Sequence, residues 1–298
     1  MGKLCLAAGL AGVLRLFGYA TDPLMSDRDI HRIVGEPRRV ERANDSPGDL
    51  KIITWNIERG AAYDSVLAML LTLDADVLLL QEVDRDCRRT RYRDVARELA
   101  RALGMNWISA GEFQEIGEAR DGKPAVTGQT ILSRFPIDDS GVLRFAAQDR
   151  WRWSVNPVQP RRGGRIALKA RTAGLLLYNT HIESGGNEVL QRRQIAEILV
   201  DQSSHAERQV PVLIGGDFNN GPILQASMFG YLNAAAFADA LGEAGGRGPT
   251  SFGQRHPIDW LFVKNLTALR GRIVDAPAAS DHFPVIAALA SASGVIQR

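Results

Sequence analysis

The segment Gly215-Gly216-Asp217-Phe218-Asn219-Asn220 carries side chains well suited to chemistry. It follows residues 210–214, an apolar run typical of a buried β-strand. Asp217 and Asn219 are two residues apart, so on extended backbone both side chains point to the same side. A carboxylate beside a carboxamide at a strand end could hold a water molecule or a phosphoryl oxygen. A polar turn is the alternative, because Gly, Asp and Asn are also common turn residues.

Other polar side chains adjoin apolar runs in the same way. Glu82 follows residues 77–80 and Gln81, and Asp259 lies inside a second apolar run. Ionisable groups in such places are costly to bury unless they are paired or bind a cation. Mg²⁺ suits them because it binds carboxylate and carbonyl oxygens, whereas histidines without a cysteine partner argue against structural zinc. The strand-end polar set is Asn56, Glu82, His181, Asp217, Asn219, Asp259, Asp281 and His282.

The elements that must position this set are predicted to be short strands and helices. The predicted strands cover residues 50–57, 77–80, 130–133, 165–170, 175–182, 210–214 and 260–263, with a last one after Pro284. The predicted helices cover residues 64–73, 94–103, 187–200 and 234–241, with Asp64 and Asn187 as N-caps and Gly104 as a stop. Residues 21–48 are charged and rich in proline, which predicts a linker or an arm on the domain surface.

Six short segments share a fixed order along the chain. They are Thr54-Trp55-Asn56, Gln81-Glu82-Val83-Asp84, Asn179-Thr180-His181, Gly216-Asp217-Phe218-Asn219, Ile258-Asp259-Trp260 and Ser280-Asp281-His282-Phe283-Pro284-Val285. The ordered set resembles the endonuclease/exonuclease/phosphatase superfamily, which includes pancreatic-type deoxyribonucleases, apurinic endonucleases, neutral sphingomyelinases and inositol polyphosphate 5-phosphatases. Any one segment is a weak signal, but the ordered set over about residues 50 to 290 is specific.

The resemblance implies an α/β fold, a four-layer sandwich of two packed mixed β-sheets flanked by helices. It implies a domain over residues 49–292 that cleaves phosphate esters with Mg²⁺, for which Mn²⁺ could substitute. In this family pattern Glu82 would be the principal metal ligand, and Asn56 and Asp281 would assist it.

The resemblance also implies roles for the remaining residues of the set. Asp217 and Asn219 would position the attacking water and the phosphate, and His181 would face the phosphate. Asp259 would orient His282, and because a carboxylate behind an imidazole fixes its tautomer, we expect Asp259 to contact a ring nitrogen. Either Asp217 or His282 could take the proton of the water, and the sequence leaves both open.

The surroundings of the set are rich in arginine. Seven arginines and three acids lie between Arg85 and Arg101, and eight basic residues and one acid lie between Arg144 and Arg171. Such patches can attract phosphate, although solvated charged faces are commoner. The resemblance places a phosphate-facing side chain at Arg165, with an exposed edge arginine as the alternative. Glu183 is predicted to be a surface residue at a strand end, with a contact to His181 as the alternative.

An irregular insert is predicted at residues 146–164. Its tryptophans and arginines could stack bases and neutralise phosphates, or seat the insert at a lipid surface. The third interpretation is a loop anchored by buried tryptophans. The residues concerned are Trp151, Trp153, Arg150, Arg152, Arg161 and Arg162.

Our leading hypothesis is therefore a metal-dependent phosphodiesterase, most specifically a nuclease, whose partner is a phosphate ester of nucleic acid. A lipid or inositol-phosphate phosphoesterase acting on membrane lipid or a small phosphate is the first alternative. A phosphate-binding module without turnover is the second. No sequence feature identifies a protein partner, and we expect a monomer.

Composition limits the class of protein without deciding its location. The 298 residues are 45% hydrophobic and 23% charged with a net charge of +2, which is typical of a globular protein. Cys5 and Cys87 are too few and too far apart for a disulfide framework or a zinc site. Residues 1–20 fit either a signal peptide or an unprocessed N-terminal helix, so export and a cytoplasmic location both stay open.

Overall fold

The computed structural model describes residues 22–40, 49–120, 122–149, 151, 159–184, 187–205, 210–242 and 248–291. Two β-sheets pack face to face in this part of the chain, and helices cover the outer face of each sheet. The predicted four-layer α/β sandwich is therefore confirmed. The expected signal peptide or N-terminal helix at residues 1–20 lies outside the described residues.

The strands, in chain order, are β1 (Ile33–Glu36), β2 (Leu50–Arg59), β3 (Val77–Arg85), β4 (Asn106–Glu115), β5 (Val126–Ser133), β6 (Ile137–Arg144), β7 (Arg161–Gly163), β8 (Ile166–Thr172), β9 (Leu175–His181), β10 (Val212–Asp217), β11 (Ala238–Asp239), β12 (Asp259–Lys264), β13 (Leu266–Ile273) and β14 (Val285–Ser291). The α-helices are α1 (Asp27–Ile30), α2 (Tyr63–Leu73), α3 (Val95–Leu103), α4 (Glu188–Ser204) and α5 (Pro222–Ala234).

Each sheet has a parallel pair of strands at its centre. The first sheet has the order β1–β4–β5–β3–β2–β14–β13, with β7 paired to β4, and the second has the order β11–β12–β10–β9–β8–β6. The pairs β2–β3 and β9–β10 are parallel, whereas the other pairings are antiparallel. The carboxyl ends of parallel partners meet at one edge of a sheet, and these ends carry Asn56, Gln81, His181 and Asp217.

The strand β3 is buried on both faces, between the second sheet and the outer helices. In the run Val77-Leu78-Leu79-Leu80, Leu79 faces the second sheet, while Leu78 and Leu80 face the helices. This is why β3 has a continuous apolar sequence rather than an alternating one. The helix α2 contributes Leu70 to the outer core of the first sheet, and α4 contributes Ile198 to the outer core of the second.

Several elements differ from their prediction. The helix predicted at residues 234–241 is wrong: α5 begins at Pro222, and Ala236, with φ of 63°, ends the helical stretch before β11. The helix α2 begins at Tyr63, so Asp64 lies in its first turn and Ala62 is the N-cap. The strands β4, β6 and β13 were not expected, because polar residues interrupt the apolar pattern of each sequence.

The segment at residues 22–40, expected to be a linker or a surface arm, is part of the domain. Ile30 is fully buried at the end of α1, and β1 pairs with β4 as an edge strand of the first sheet. Its charged composition arises because an edge strand buries only part of its side chains. In the described part of the chain no helix is long and apolar enough to cross a membrane.

Candidate active site

Three neighbouring strands of the second sheet place His181, Asp217 and Asp259 side by side. Asp217 of β10 is opposite His181 of β9 and also opposite Asp259 of β12. Gly216 permits this arrangement, because a Cβ there would lie 1.8 Å from the carbonyl oxygen of Thr180. Its φ of 152° is also one that L side chains rarely adopt. Gly216 is therefore required by the close packing of β9 and β10 and is not only a turn residue.

Asp217 is the centre of the polar cluster. Its Oδ2 lies 3.2 Å from Nδ2 of Asn56, 3.3 Å from Nε2 of His181 and 3.7 Å from Nε2 of His282. Its Oδ1 accepts the backbone N–H of Asn219 at 2.9 Å. Burial raises the pKa of Asp217, although the positive charge of His282 opposes the shift. The carboxylate is thus placed where four donors converge.

Asp259 faces His282 with both carboxylate oxygens. These oxygens lie 3.1 and 2.9 Å from Nδ1 of His282, so the expected contact is present. Burial favours the neutral imidazole, but Asp259 and Asp217 outweigh it and raise the pKa of His282 to about 10. Thr250 fixes the backbone of Asp259 by accepting its N–H at 3.0 Å. His282 is therefore an imidazolium between two carboxylates.

His181 is the neutral imidazole of the cluster. Burial lowers its pKa well below the usual value, and the positive charge of Arg165 adds to this effect. We assign its proton to Nε2, because that atom faces Asp217. The sequence alone does not indicate that one histidine is neutral and the other charged.

Glu82 lies in a distorted part of β3. The pairing of β3 with β5 shifts between Leu80 and Val83, and Glu82 has a φ of 50°. Such a bulge turns a side chain away from its regular direction. Oε1 of Glu82 is 3.4 Å from Nδ2 of Asn56, the same amide that contacts Asp217. Asn56 therefore joins the first-sheet carboxylate to the second-sheet cluster.

The charge of Glu82 is stabilised by arginine. Burial alone would raise its pKa, but the positive charges of Arg59 and Arg165 outweigh this effect and lower it. The side chain keeps 26% of its surface exposed, and its Oε2 lies 3.8 Å from Nε of Arg59. Glu82 is thus an ionised carboxylate that an incoming cation can reach.

Two groups of residues have ligand atoms suited to a divalent cation. Glu82 and Asn56 supply oxygen donors, and Asp281, next to His282, is exposed. Mg²⁺ and Mn²⁺ prefer such oxygen ligands. In the second group, Asp217, Asp259 and His282 have ligand atoms within 4.8 Å of one another.

Two other residues of the predicted site, Asn219 and Asp281, lie on segments that hydrogen bonds attach to neighbouring strands or loops. Asn219 donates its side-chain amide to the carbonyl oxygen of Ile182 at 3.1 Å, which holds it beside Asp217. Ser280 donates to the carbonyl oxygen of Asn56 at 2.7 Å, so the segment that carries Asp281 is attached to the end of β2. No hydrogen bond joins Asp281 to Glu82 among the described residues.

Family comparison agrees with this geometry. The family model described as the Endonuclease/Exonuclease/phosphatase family matches residues 53–282, from β2 to His282. The chain belongs to this family. A search of curated proteins gave no match.

Solved structures of the family share the fold at low sequence identity. An endonuclease/exonuclease/phosphatase from Beutenbergia cavernae DSM 12333 has a TM-score of 0.63 and 21% identity, covering 82% of this chain and 72% of its own. The human Nocturnin catalytic domain with bound sulfate has a TM-score of 0.63 and 17% identity over 89% and 99% of the two chains. A mannosyl-6-phosphatase from Bacteroides thetaiotaomicron VPI-5482 has a TM-score of 0.60 and 17% identity over 80% and 99%.

Arg165 is buried, so it is not the exposed edge arginine given as the alternative. It is 4% exposed, and its Nη1 lies 3.2 Å from Oε2 of Glu112. Its guanidinium lies over the rings of Phe113 and Trp151. Its charge acts on Glu82 and His181, and contact with a substrate stays a prediction.

Glu112 and Glu183 are buried acids that the sequence did not reveal. Glu112 lies on β4, which was not predicted, and burial raises its pKa to about 7 against the lowering effect of Arg165. Glu183 is buried, so the surface prediction is wrong, and it accepts the indole N–H of Trp151 at 2.9 and 3.1 Å. For Glu112 the available signal was its position directly before Phe113, a large apolar residue.

These contacts hold the described part of the insert at residues 146–164. Trp151 is anchored by Glu183 and packs on Phe113 with ring centroids 4.9 Å apart, as the packing interpretation predicts. The insert is not irregular throughout, because Arg161–Gly163 forms β7. Nη2 of Arg161 lies 3.2 Å from Oε1 of Glu115. Trp153, Arg150 and Arg152 lie outside the described residues. Nη2 of Arg162 lies 3.7 Å from Oδ1 of Asp27, in the segment before β1.

Proposed function

We propose that this protein hydrolyses phosphate esters by attack of an activated water molecule, and that its natural substrate is a phosphodiester of nucleic acid. The observation that carries the proposal is the cluster in which Asp217 meets His181, His282 and Asn56, with Glu82 beside it. It joins a carboxylate, a neutral imidazole, an imidazolium and an ionised cation-accessible acid. The positive charges of Arg59 and Arg165, which act on Glu82, support an anionic substrate.

We assign the cation to Glu82, Asn56 and Asp281 rather than to the second group, because both oxygens of Asp259 already face His282. A Mg²⁺ or Mn²⁺ ion bound there would supply positive charge to a phosphoryl oxygen, on which the transition state accumulates negative charge. The carboxylate of Glu82 and the amide of Asn56 hold their positions without the ion, since each is fixed by neighbouring side chains.

In the proposed reaction, different side chains of the cluster accept and donate protons. Asp217 is the proposed acceptor of the water's proton, because its raised pKa brings its basicity closer to neutral pH. His282 is held protonated by carboxylates on both sides, so it donates to the substrate's oxygens instead of accepting a proton. His181 directs its Nε2–H to Asp217, and the backbone N–H of Asn219 fixes the direction of the same carboxylate.

A lipid or inositol-phosphate phosphoesterase is the competing function. The same catalytic groups would carry out that reaction, and different loops around the site would bind the other substrate. A phosphate-binding module without turnover is less well supported, because Asp259 keeps both oxygens on His282, a pairing that binding alone does not require.

Hydrolysis of bis(p-nitrophenyl) phosphate with Mg²⁺ or Mn²⁺, with and without a chelator, tests the proposal. We expect metal-dependent turnover that falls by about 10²–10⁴ in His181→Ala and His282→Ala. A panel of single- and double-stranded DNA, RNA, sphingomyelin and inositol phosphates then identifies the substrate class. No turnover on any phosphate ester would leave the binding module as the better proposal.

A further inference from the structure

A cavity of about 300 Å³ lies beside the candidate cation site. Three arginines line it, Arg59, Arg88 and Arg89, together with Gln159 and the acids Glu115 and Glu118. Arg59 connects it to Glu82, because Arg59 lines the cavity and its Nε lies 3.8 Å from Oε2 of Glu82. A group in this cavity would therefore be a close neighbour of the reacting phosphate.

The three arginines are not equally available to a ligand. Arg89 is neutralised by Asp84, to which it donates twice at 2.8 Å, and it also lies 3.2 Å from Glu115. Arg88 is different: its side chain is 65% exposed, and its nearest acid oxygen, on Glu118, is 4.0 Å away. At that distance no hydrogen bond forms. Among the described residues Arg88 is therefore held only by a long ion pair with Glu118, and its guanidinium can turn to a ligand in the cavity.

Arg59 is the second available cation. Its Nε is buried without a hydrogen-bond partner among the described residues, and its closest acid is Glu82. Glu58 and Arg59 both have positive φ, of 45° and 68°, an arrangement that costs free energy in residues other than glycine. When Glu82 binds a cation, its charge is shared with that ion, and Arg59 gains attraction for another anion.

We infer that this cavity binds a second phosphate group of the substrate, adjacent to the one that is cleaved. The inference rests on the proposed function, because it assigns the reacting phosphate to the neighbouring site. Guanidinium groups match phosphate oxygens with paired donors. The volume is at the small end for ligand sites, so it fits one phosphate and part of its sugar or ring. Consecutive phosphates of a nucleic-acid strand and neighbouring phosphates of an inositol ring share this chemistry.

Paired substrates test the inference by kinetics. A dinucleotide with and without a 5′- or 3′-terminal phosphate forms one pair, and inositol bisphosphate and monophosphate form the other. We expect kcat/KM to be at least about tenfold higher for the doubly phosphorylated member of one pair, about 1.4 kcal/mol. Arg88→Gln and Arg59→Gln should bring that ratio close to one. Arg38→Gln, an exposed arginine outside the cavity, should leave the ratio unchanged.

A binding measurement separates this inference from the proposed function. Calorimetric titration with Mg²⁺ present compares deoxythymidine 3′,5′-bisphosphate with the 5′-monophosphate, and inositol bisphosphate with the monophosphate. Tighter binding of either bisphosphate, lost in Arg88→Gln, supports the cavity even if no substrate is hydrolysed. Hydrolysis without any preference in either pair, or a preference that both variants retain, overturns the inference and leaves the proposed function intact. The pair that shows the preference identifies the source of the phosphate.

Discussion

The side-chain amide of Gln81 donates to Oδ1 of Asn179 at 2.7 Å, across the interface between the two sheets. Gln81 precedes Glu82 directly, and Asn179 precedes His181 by two residues. Asn179 also donates to the carbonyl oxygens of Leu80 and Thr130 at 2.9 Å. This buried network sets the position of the cation side of the site relative to the histidine side.

Asn179→Ala should lower both stability and turnover. The change removes three hydrogen bonds and leaves buried acceptors on β3 and β5 unsatisfied, which costs about 1–3 kcal/mol per group. Urea denaturation measures the stability, and kcat on a small diester measures the alignment. Asn233→Ala, at an exposed position of α5, is the matched control and should change neither quantity. A fully active Asn179→Ala protein would show that the two sheets are aligned by apolar packing alone.

Asp259→Asn should reduce kcat by about 10²–10⁴ while the fold is retained. The amide cannot hold His282 as an imidazolium, because it lacks the charge that now faces Nδ1. Asp138→Asn, an exposed acid paired with Arg38, serves as the control. Steady-state kinetics and the circular dichroism spectrum are the two measurements. A normal kcat would make Asp259 a packing residue.

Glu82→Gln should weaken the binding of Mg²⁺ and abolish most of the activity. The substitution keeps the shape of the side chain but removes the charge that compensates the cation. Calorimetric titration with Mg²⁺ gives the affinity, and Glu98→Gln, a partly exposed acid of α3, is the control. Unchanged affinity together with normal turnover would transfer the cation to the group of Asp217, Asp259 and His282.

Gly216→Ala and Gly230→Ala should change stability in opposite directions. The methyl group at residue 216 would meet the Thr180 carbonyl oxygen at 1.8 Å, so we expect a loss of about 4 kcal/mol or more. Gly230 lies on α5 with nothing within 4 Å of an added Cβ, so alanine should stabilise the helix by about 0.5–1 kcal/mol. Urea denaturation of the two variants decides this, and equal effects would contradict the proposed close packing of β9 and β10.

Glu112 should make the native state less stable as the pH rises from about 4.5 to about 7. Its pKa is higher in the folded protein, so in this window the folded state binds the proton more tightly than the unfolded state, and stability falls with increasing pH. Glu112→Gln cannot titrate and should lose this part of the slope. The measurement is the free energy of unfolding at several pH values for both proteins. Parallel pH profiles would show that Glu112 does not titrate there.

The sequence determined the central strands and the polar residues that the structure brings together at their ends. Apolar runs ending in polar residues are a local pattern, so β2, β3, β9, β10 and β12 could be predicted together with the residues at their ends. The order of six such segments was sufficient to indicate the family and, through it, the layered fold. The contact of Asp259 with His282 was also expected from the residue types.

The tertiary structure decided the charge states, strand pairings and burial that depend on contacts between residues far apart in the chain. The opposite charge states of His181 and His282 follow from which carboxylates and arginines surround each ring. The edge strand β1 was hidden because pairing with β4, and not its own charged sequence, makes it a strand. Arg165 and Glu183 became buried because Glu112 and Trp151 come from other segments to pair with them. Such burial depends on partners distant in sequence, and a local pattern carries no information about them.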